Sequence, residues 1–288
     1  MTRIVVVGDL NLDIFIDRFA LLPGNEARGA VRTEVGGSAA TFARVAAAHG
    51  AGVTFVGAVG RDAAGEVLVR SLESAGVYVE VTHDRRPTGA VVAIRDGDER
   101  SMICSRGAND ALSTDAIHPG LFERADHLHI SGYAMISLAQ RPAARRAVAH
   151  ARERGISISL DPPPANLIRS FGVDAFWSEI AAVDWVFPNE SEAFLLAGRR
   201  EDSAVVDALA MRFAAGSVTL GARGALAWCG NERDCASVEA LYDVDSTGAG
   251  DAYAAGFVVA LLETGDLRLA NRSGCAAAGD LLGRRQRE

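Results

Sequence analysis

The sequence predicts an α/β protein built on a mostly parallel sheet, with a small antiparallel β lid over one end. Three observations carry this expectation. Short β-branched runs alternate with alanine-rich amphipathic segments along most of the 288 residues, as strands joined by crossover helices do. Two stretches, 14–35 and 88–104, instead alternate polar and apolar residues, the pattern of half-buried antiparallel strands. Near the C-terminus a glycine-rich segment runs into small and apolar residues from Ala252 to Leu262, which reads as a buried helix.

Taken in order, Ile4–Val7 is a β-branched run stopped by Gly8 and is the expected first strand. The other strand candidates are Thr54–Val59, His127–Ile130, Ile156–Leu160, Trp185–Phe187, Val218–Leu220 and Ala225–Trp228, each a short apolar run. Helices are expected at Ala39–His49, Gly65–Ala75, Pro142–Arg154, Ser191–Ala197 and Ser203–Ala214, then at Ala249–Glu263 and Leu267–Leu282. In the lid, Asp96-Gly97-Asp98 is a hairpin turn signal between Val91–Arg95 and Glu99–Cys104. No internal repeat, low-complexity tract or linker interrupts the pattern. Residues 1–288 are therefore expected to form one domain, its lid inserted in two pieces.

Composition narrows the function. The chain is long enough to bury a full core, and its 49% apolar and 23% charged residues suit a soluble globular enzyme. A formal net charge of −8 argues against a nucleic-acid or anionic-membrane surface. The sequence has no lysine; all 29 basic residues are arginine. Schiff-base aldolases, pyridoxal phosphate enzymes and Walker-A kinases each need a lysine and are excluded. Any phosphoryl transfer here must use backbone amides, metal and arginine. Cys104, Cys229, Cys235 and Cys275 form no C-x-x-C pair and have no histidine at zinc-finger spacing. They are expected to be buried free thiols in a reducing cytoplasm. Met1-Thr2-Arg3 leads directly into the first strand, and no apolar run reaches membrane-spanning length. A cytoplasmic location follows as the expectation.

The chemistry is concentrated in Asp245-Ser246-Thr247-Gly248-Ala249-Gly250-Asp251. A glycine pair entering a helix leaves several N–H groups unpaired at the positive end of the helix dipole, where an anion can approach closely. Asp251 in the first turn puts a carboxylate beside that anion site, which suggests a general base for a hydroxyl attacking a phosphoryl group. The competing reading is a glycine-rich loop before a core helix. Asp9-Leu10-Asn11-Leu12-Asp13 alternates polar side chains along an extended segment, so all three point the same way and can bind neighbouring hydroxyls. It reads equally well as a capped turn. Gly36-Gly37 opens a second helix through Thr41, with amides available to a sugar or its phosphate. Asn189 and Glu192 share a face three residues apart. That spacing suits hydrated Mg²⁺, and it suits a capping box better. Thr219-Leu220-Gly221-Ala222-Arg223-Gly224 is a strand running into a glycine turn.

These segments, in this order, resemble those of the ribokinase-like (PfkB) family of carbohydrate and nucleoside kinases. The heptapeptide is similar to its D-T-x-G-A-G-D signature, residues 9–13 to D-x-N-x-D, residues 36–43 to G-G-x-x-x-N-x-A, residues 189–192 to N-x-x-E and residues 219–224 to T-L-G-x-x-G. Smaller matches at Val59-Gly60-Arg61-Asp62, Thr88-Gly89, Gly107-Ala108-Asn109-Asp110, Ser131-Gly132-Tyr133 and Asp161-Pro162-Pro163-Pro164 extend the resemblance over about residues 4 to 280. It implies a ribokinase-like three-layer α/β/α fold with a β lid. It implies ATP and Mg²⁺, with Asp251 as base and Gly248, Ala249 and Gly250 as an anion hole. Asp9, Asn11, Asp13, Gly36, Gly37, Thr41, Arg106 and Asn109 fall on the acceptor side, and Asn189, Thr219, Gly221, Gly224 and Asn271 on the nucleotide side. Asn189 and Glu192 are expected to hold Mg²⁺ through water, and Asp245 a monovalent cation, K⁺. Thr41 stands where the family usually has asparagine, and a threonine cannot span two hydroxyls. The sequence ends at Glu288, before a further glycine-containing segment usual in the family. A weaker nucleotide site, or one completed by a partner chain, is the corresponding expectation.

The resulting reading is an ATP-dependent carbohydrate kinase acting on a hydroxyl of a sugar or sugar-like polyol. A neutral sugar is the leading acceptor, then a nucleoside, through Phe42 or Tyr133, then a sugar acid of the keto-deoxy-gluconate type, through Arg106. Core packing competes for both rings and an ion pair for Arg106. A sugar or nucleotide sensor without catalysis is the rival from another class. A homodimer through the lid is the expected assembly.

Overall fold

The computed structural model describes residues 1–17, 30–96, 99–239 and 245–287. Lid residues 18–29, and Gly97 and Asp98 of the expected hairpin turn, lie outside the described residues. The chain opens with β1 (Arg3–Val7), β2 (Asn11–Asp17) and β3 (Ala30–Gly36), then α1 (Ser38–Ala48), β4 (Gly52–Gly60), α2 (Ala63–Ser74) and β5 (Tyr78–Asp84). It continues with β6 (Gly89–Asp96), β7 (Glu99–Ser105), β8 (His127–Ser131), α3 (Gly132–Ile136), α4 (Arg141–Glu153) and β9 (Ser157–Asp161). After these come α5 (Ala165–Phe171), α6 (Val173–Glu179), β10 (Trp185–Val186), α7 (Glu190–Ala197) and α8 (Asp202–Ala210). The last elements are β11 (Ala215–Thr219), β12 (Ala225–Cys229), β13 (Glu232–Ala236), α9 (Ala249–Thr264) and α10 (Leu267–Arg287).

The main sheet has the order β13-β12-β11-β10-β9-β8-β1-β4-β5. It is parallel from β11 through to β5, with β12 and β13 added antiparallel at one edge. Successive side chains of a strand face opposite ways, and β1 displays this directly. Ile4 and Val6 pack with α1, α2 and α9 on one face, whereas Val5 and Val7 pack with α4 to α8 on the other. Burial on both faces is why these strands read as continuous apolar runs, and it gives three layers, α/β/α. Among the described residues no helix is long and apolar enough to cross a membrane.

The second sheet has the order β3-β2-β6-β7. Its two hairpins, β2 with β3 and β6 with β7, are antiparallel, and the hairpins join through a parallel pairing of β2 with β6. That pairing runs from Asn11 opposite Gly89 to Asp17 opposite Arg95. It brings the two separate lid stretches together. The cysteines are free, but Cys104 and Cys235 are exposed and the other two half-buried. This corrects the expectation of burial: Cys104 lies on β7 of the lid and Cys235 on the edge strand β13.

Candidate active site

Ligands of open α/β sheets bind outside the carboxyl ends of the parallel strands, and here five strand ends converge on one cavity. Asp9 follows β1, Tyr133 follows β8, Asp161 ends β9, Asn189 follows β10 and Thr219 ends β11; all line a cavity of ≈ 730 Å³. The lid closes it from above with Asn11, Asp13, Val91, Met102 and Cys104. On the other side lie Ser246 to Asp251 and residues of α10.

Helix α9 is capped by Gly248 in the left-handed conformation, φ 76°, which a Cβ would disfavour. The helix is apolar almost all round, so it is anchored in the core and holds its first turn still. Ala252 N donates to Gly248 O at 3.0 Å, the first regular helical bond. Ala249 N donates to Ser246 O at 3.1 Å, so its amide is committed to the turn. This corrects its expected place among the anion donors. The amides of Gly250 and Asp251 take no backbone carbonyl among the described residues, and with Gly248 they border the cavity.

Asp251 and Asp161 form the electrostatic centre. Burial raises the Asp251 pKa to about 6, opposed by hydrogen bonds from Ser38 and Asp161. Burial raises Asp161 further, well above the carboxylate range, helped by the charges of Asp251 and Glu192 and by its hydrogen bond to Asp251. The two environments push the pair apart. Asp161 is pushed further toward the protonated form than Asp251, which makes Asp251 the readier carboxylate of the two. Burial also raises Glu192 to about 7, against the hydrogen bonds of Asn189 and with the charge of Asp251 adding to it.

Asn189 and Glu192 form a complete capping box on α7. Asn189 Oδ1 accepts from Glu192 N at 3.1 Å, and Glu192 Oε2 accepts from Asn189 N at 2.9 Å. Both also line the cavity, so the capping and ligand readings hold at once. Among the described residues no three histidine, cysteine or acidic side chains form a ready metal cluster. An ion arriving with a nucleotide would be held partly through its own waters, as Mg²⁺ is.

At the acceptor end, Asp13 is 8% exposed and its carboxylate rests on the Cα of Gly36, where a Cβ would lie 2.1 Å from it. Gly37 has φ 98°, and a Cβ there would meet the Asp9 carbonyl at 2.3 Å. The glycine pair therefore makes room for two acids. Gly37 borders the cavity while Gly36 lies beneath Asp13 and does not. Arg106 is neither a surface pair nor an open anion receptor. Its Nη1 donates to Asp9 Oδ2 (3.0 Å), its Nε to Asp110 Oδ1 (2.7 Å) and its Nη2 to Gln140 Oε1 (2.7 Å). Gln140 Nε2 donates in turn to Asp9 Oδ1 at 2.6 Å.

Three expected contact residues sit elsewhere. Asn109 is fully buried; its Oδ1 accepts from Leu10 N and its Nδ2 donates to Asn11 Oδ1, so it holds the 9–13 segment rather than a ligand. Asn271 is fully buried, accepts from the Tyr253 hydroxyl (2.6 Å) and donates to Asp234 Oδ2 (2.8 Å), away from the cavity. Thr41 packs beneath Gly248 and does not border the cavity. Gly221 and Gly224 do border it, beside Thr219. Phe42 stacks on His129 in the core, ring centroids 3.6 Å apart. Tyr133, the other ring expected against a nucleoside base, borders the cavity, as do Asp161 and Ser38, which were not expected as site residues. The Asp161-Pro162 match was the one signal available for Asp161, because its importance depends on a neighbour 90 positions away.

The description "pfkB family carbohydrate kinase" matches residues 1–285. The ATP-dependent ribose-1-phosphate kinase of Halopiger xanaduensis is 30% identical over 292 aligned positions, 97% of this chain and 93% of that protein. The ribokinase of Haemophilus influenzae is 27% identical over 96% of this chain and 90% of its own. Among solved structures, the adenosine kinase of Sinorhizobium meliloti superposes with TM-score 0.88 at 24% identity, covering 98% and 94% of the two chains. An Escherichia coli structure in complex with ATP and Mg²⁺ superposes with TM-score 0.86 at 22% identity, covering 99% and 94%. These structural likenesses establish the fold, and the match along almost the whole sequence establishes more: the chain belongs to the pfkB family of carbohydrate kinases.

Proposed function

We propose that this protein transfers the γ-phosphoryl group of ATP to a hydroxyl of a neutral sugar or sugar-like polyol. The observation that carries the reading is the acid pair at the start of α9. Asp251 is left ionised beside a glycine-capped anion site, with a pKa near the range where a base works best. Asp251 accepts the acceptor's hydroxyl proton as attack develops. The amides of Gly248 and Gly250 face the transferring phosphoryl group and stabilise its charge. Asn11 and Asp13 hold the acceptor hydroxyls under the lid, whose cover excludes water as a competing acceptor.

Three acids, Asp161, Glu192 and Asp251, crowd the nucleotide end; after burial, the Asp251 charge raises both Asp161 and Glu192, and Glu192 also raises Asp161. These acids form no ready metal cluster among the described residues, so Mg²⁺ would come with the nucleotide, keep most of its own waters and neutralise the phosphate charge. Asn189 and Glu192 would hold it through water. Thr219, Gly221 and Gly224 would border the nucleotide.

A neutral acceptor is favoured because Arg106, the arginine that borders the cavity among the described residues, is already satisfied by Asp9, Asp110 and Gln140. An acid or phosphate on the acceptor would add negative charge beside Asp9 and Asp13, with Arg106 already engaged by Asp9. Replacing Asp251 with Asn tests the base directly. Coupled ADP release should fall about 10²–10⁴-fold while ATP binding, measured by calorimetry, persists. Near-normal turnover would remove Asp251 from the mechanism.

A further inference from the structure

The family resemblance implies a monovalent cation at Asp245, but the residues present already bind a cation of the chain's own. Arg285, on the last turn of α10, has a side chain 12% exposed. Its Nη1 donates to the carbonyl oxygen of Asp245 at 3.1 Å and to that of Thr247. Its Nη2 and Nε donate to Glu34 Oε2, at 2.7 and 3.1 Å, from the lid strand β3. The planar guanidinium carries five donors in a fixed fork, enough to serve two carbonyls and a carboxylate at once. Asp245 Oδ1 is occupied as well, accepting from Thr247 N (3.0 Å) and Thr247 Oγ1 (2.6 Å).

These contacts set the direction of the anion loop. In a trans peptide the C=O and the following N–H point in opposite directions. With the Thr247 carbonyl turned to Arg285, the Gly248 N–H is turned away from it; with the Asp245 carbonyl turned there, so is the Ser246 N–H. Ser246, Thr247 and Gly248 all border the cavity. A positive charge behind the loop therefore draws its carbonyls back and leaves its amides for an anion.

We propose that Arg285 is a positioning residue for phosphoryl transfer, a built-in cation that takes the carbonyl oxygens of the loop before α9 and makes turnover independent of potassium. This rests on the kinase reading given above. Glu34 adds a second consequence: the lid strand that carries it is tied through Arg285 to the loop that faces the phosphate.

The test is turnover with Mg-ATP and a neutral sugar in KCl, NaCl and tetramethylammonium chloride at fixed ionic strength, for wild type and Arg285→Met. The wild type should run equally fast in all three salts. Arg285→Met should lose about 10–10³-fold in kcat, keep its KM for the acceptor, and regain rate with added K⁺ or guanidinium. A wild type that needs K⁺ overturns the proposal and leaves the kinase reading intact. So does a folded Arg285→Met with normal kcat, or one whose loss lies in KM and responds to no cation. No turnover of any acceptor in any salt refutes the kinase reading and this one with it. If Arg285→Met does not fold, the wild-type salt series decides alone, and Glu34→Gln, which spares both carbonyl contacts, should remain insensitive to salt.

Discussion

Asp251→Asn should make the protein more stable while it destroys turnover. The folded state raises the Asp251 pKa from 3.8 to about 6, so folding favours the protonated form. Between those two values the native chain holds more of this proton than the unfolded chain, and stability falls as pH rises. Below pH 3.8 the effect is absent. Above pH 6 it is complete, and roughly two units at ~1.4 kcal/mol each give a cost of about 3 kcal/mol. At pH 4.5 the same arithmetic leaves about 1 kcal/mol. Asparagine keeps the shape and a carbonyl acceptor for Ser38, but carries no charge. Asp161, freed from its neighbour's charge, ionises more readily and adds to the gain, while loss of the charge-assisted hydrogen bond between the two side chains offsets part of it, so the net gain at pH 8 should be about 1–3 kcal/mol. Urea unfolding of both proteins at pH 8 and pH 4.5 measures it. Equal or lower stability of the variant at pH 8, or a gain of the same size at both pH values, would refute the reasoning.

Other outcomes follow from the same geometry. The kcat/KM profile should carry an acid limb at about pH 6 set by Asp251, and Asp161→Ala, which removes a hydrogen bond to the carboxylate, should move that limb to higher pH. A limb that stays in place would detach the pair from the chemistry. Gly36→Ala places a Cβ 2.1 Å from the Asp13 carboxylate, so kcat/KM for the acceptor should drop about 10²-fold with KM for ATP preserved; steady-state kinetics in each substrate separates the two. Glu192→Gln retains a side chain that can complete the capping box on α7, so its melting temperature should hold. The Mg²⁺ concentration for half-maximal rate should nevertheless rise about tenfold.

Much of the fold was legible because burial writes itself into short runs. Ile4–Val7 faces apolar groups on both sides, and α9 is buried all round, so each reads without alternatives. The lid was legible from period-two alternation at 88–104, although its one parallel pairing, β2 with β6, depends on contacts between segments far apart. β5, from Tyr78 to Asp84, was not foreseen: it is an edge strand with half-exposed polar residues and no clean period. The short helices α5 and α6 follow a triple proline and contain too few turns to show a helical stripe.

The site divides in the same way. Asp251, Asp13 and Asn189 lie in local patterns whose geometry a strand or a helix start dictates, and all three border the cavity. Asn109 and Asn271 have residue types suited to ligands, yet their hydrogen-bonding capacity is consumed by Leu10 and Asn11 in one case and by Tyr253 and Asp234 in the other. A sequence shows capacity and not its use. Asp161 and Arg285 are the converse: each matters through a partner brought close only by the sheet order and by the packing of α10 against α9.

The most direct measurement is identification of the phosphorylated product, by ³¹P NMR, from Mg-ATP with ribose, fructose, adenosine and ribose 1-phosphate in parallel. The account predicts a phosphate ester on a neutral sugar, absent in Asp251→Asn. A product from ribose 1-phosphate alone would contradict the neutral-acceptor assignment, and ADP accompanied only by inorganic phosphate would contradict phosphoryl transfer to a sugar hydroxyl altogether.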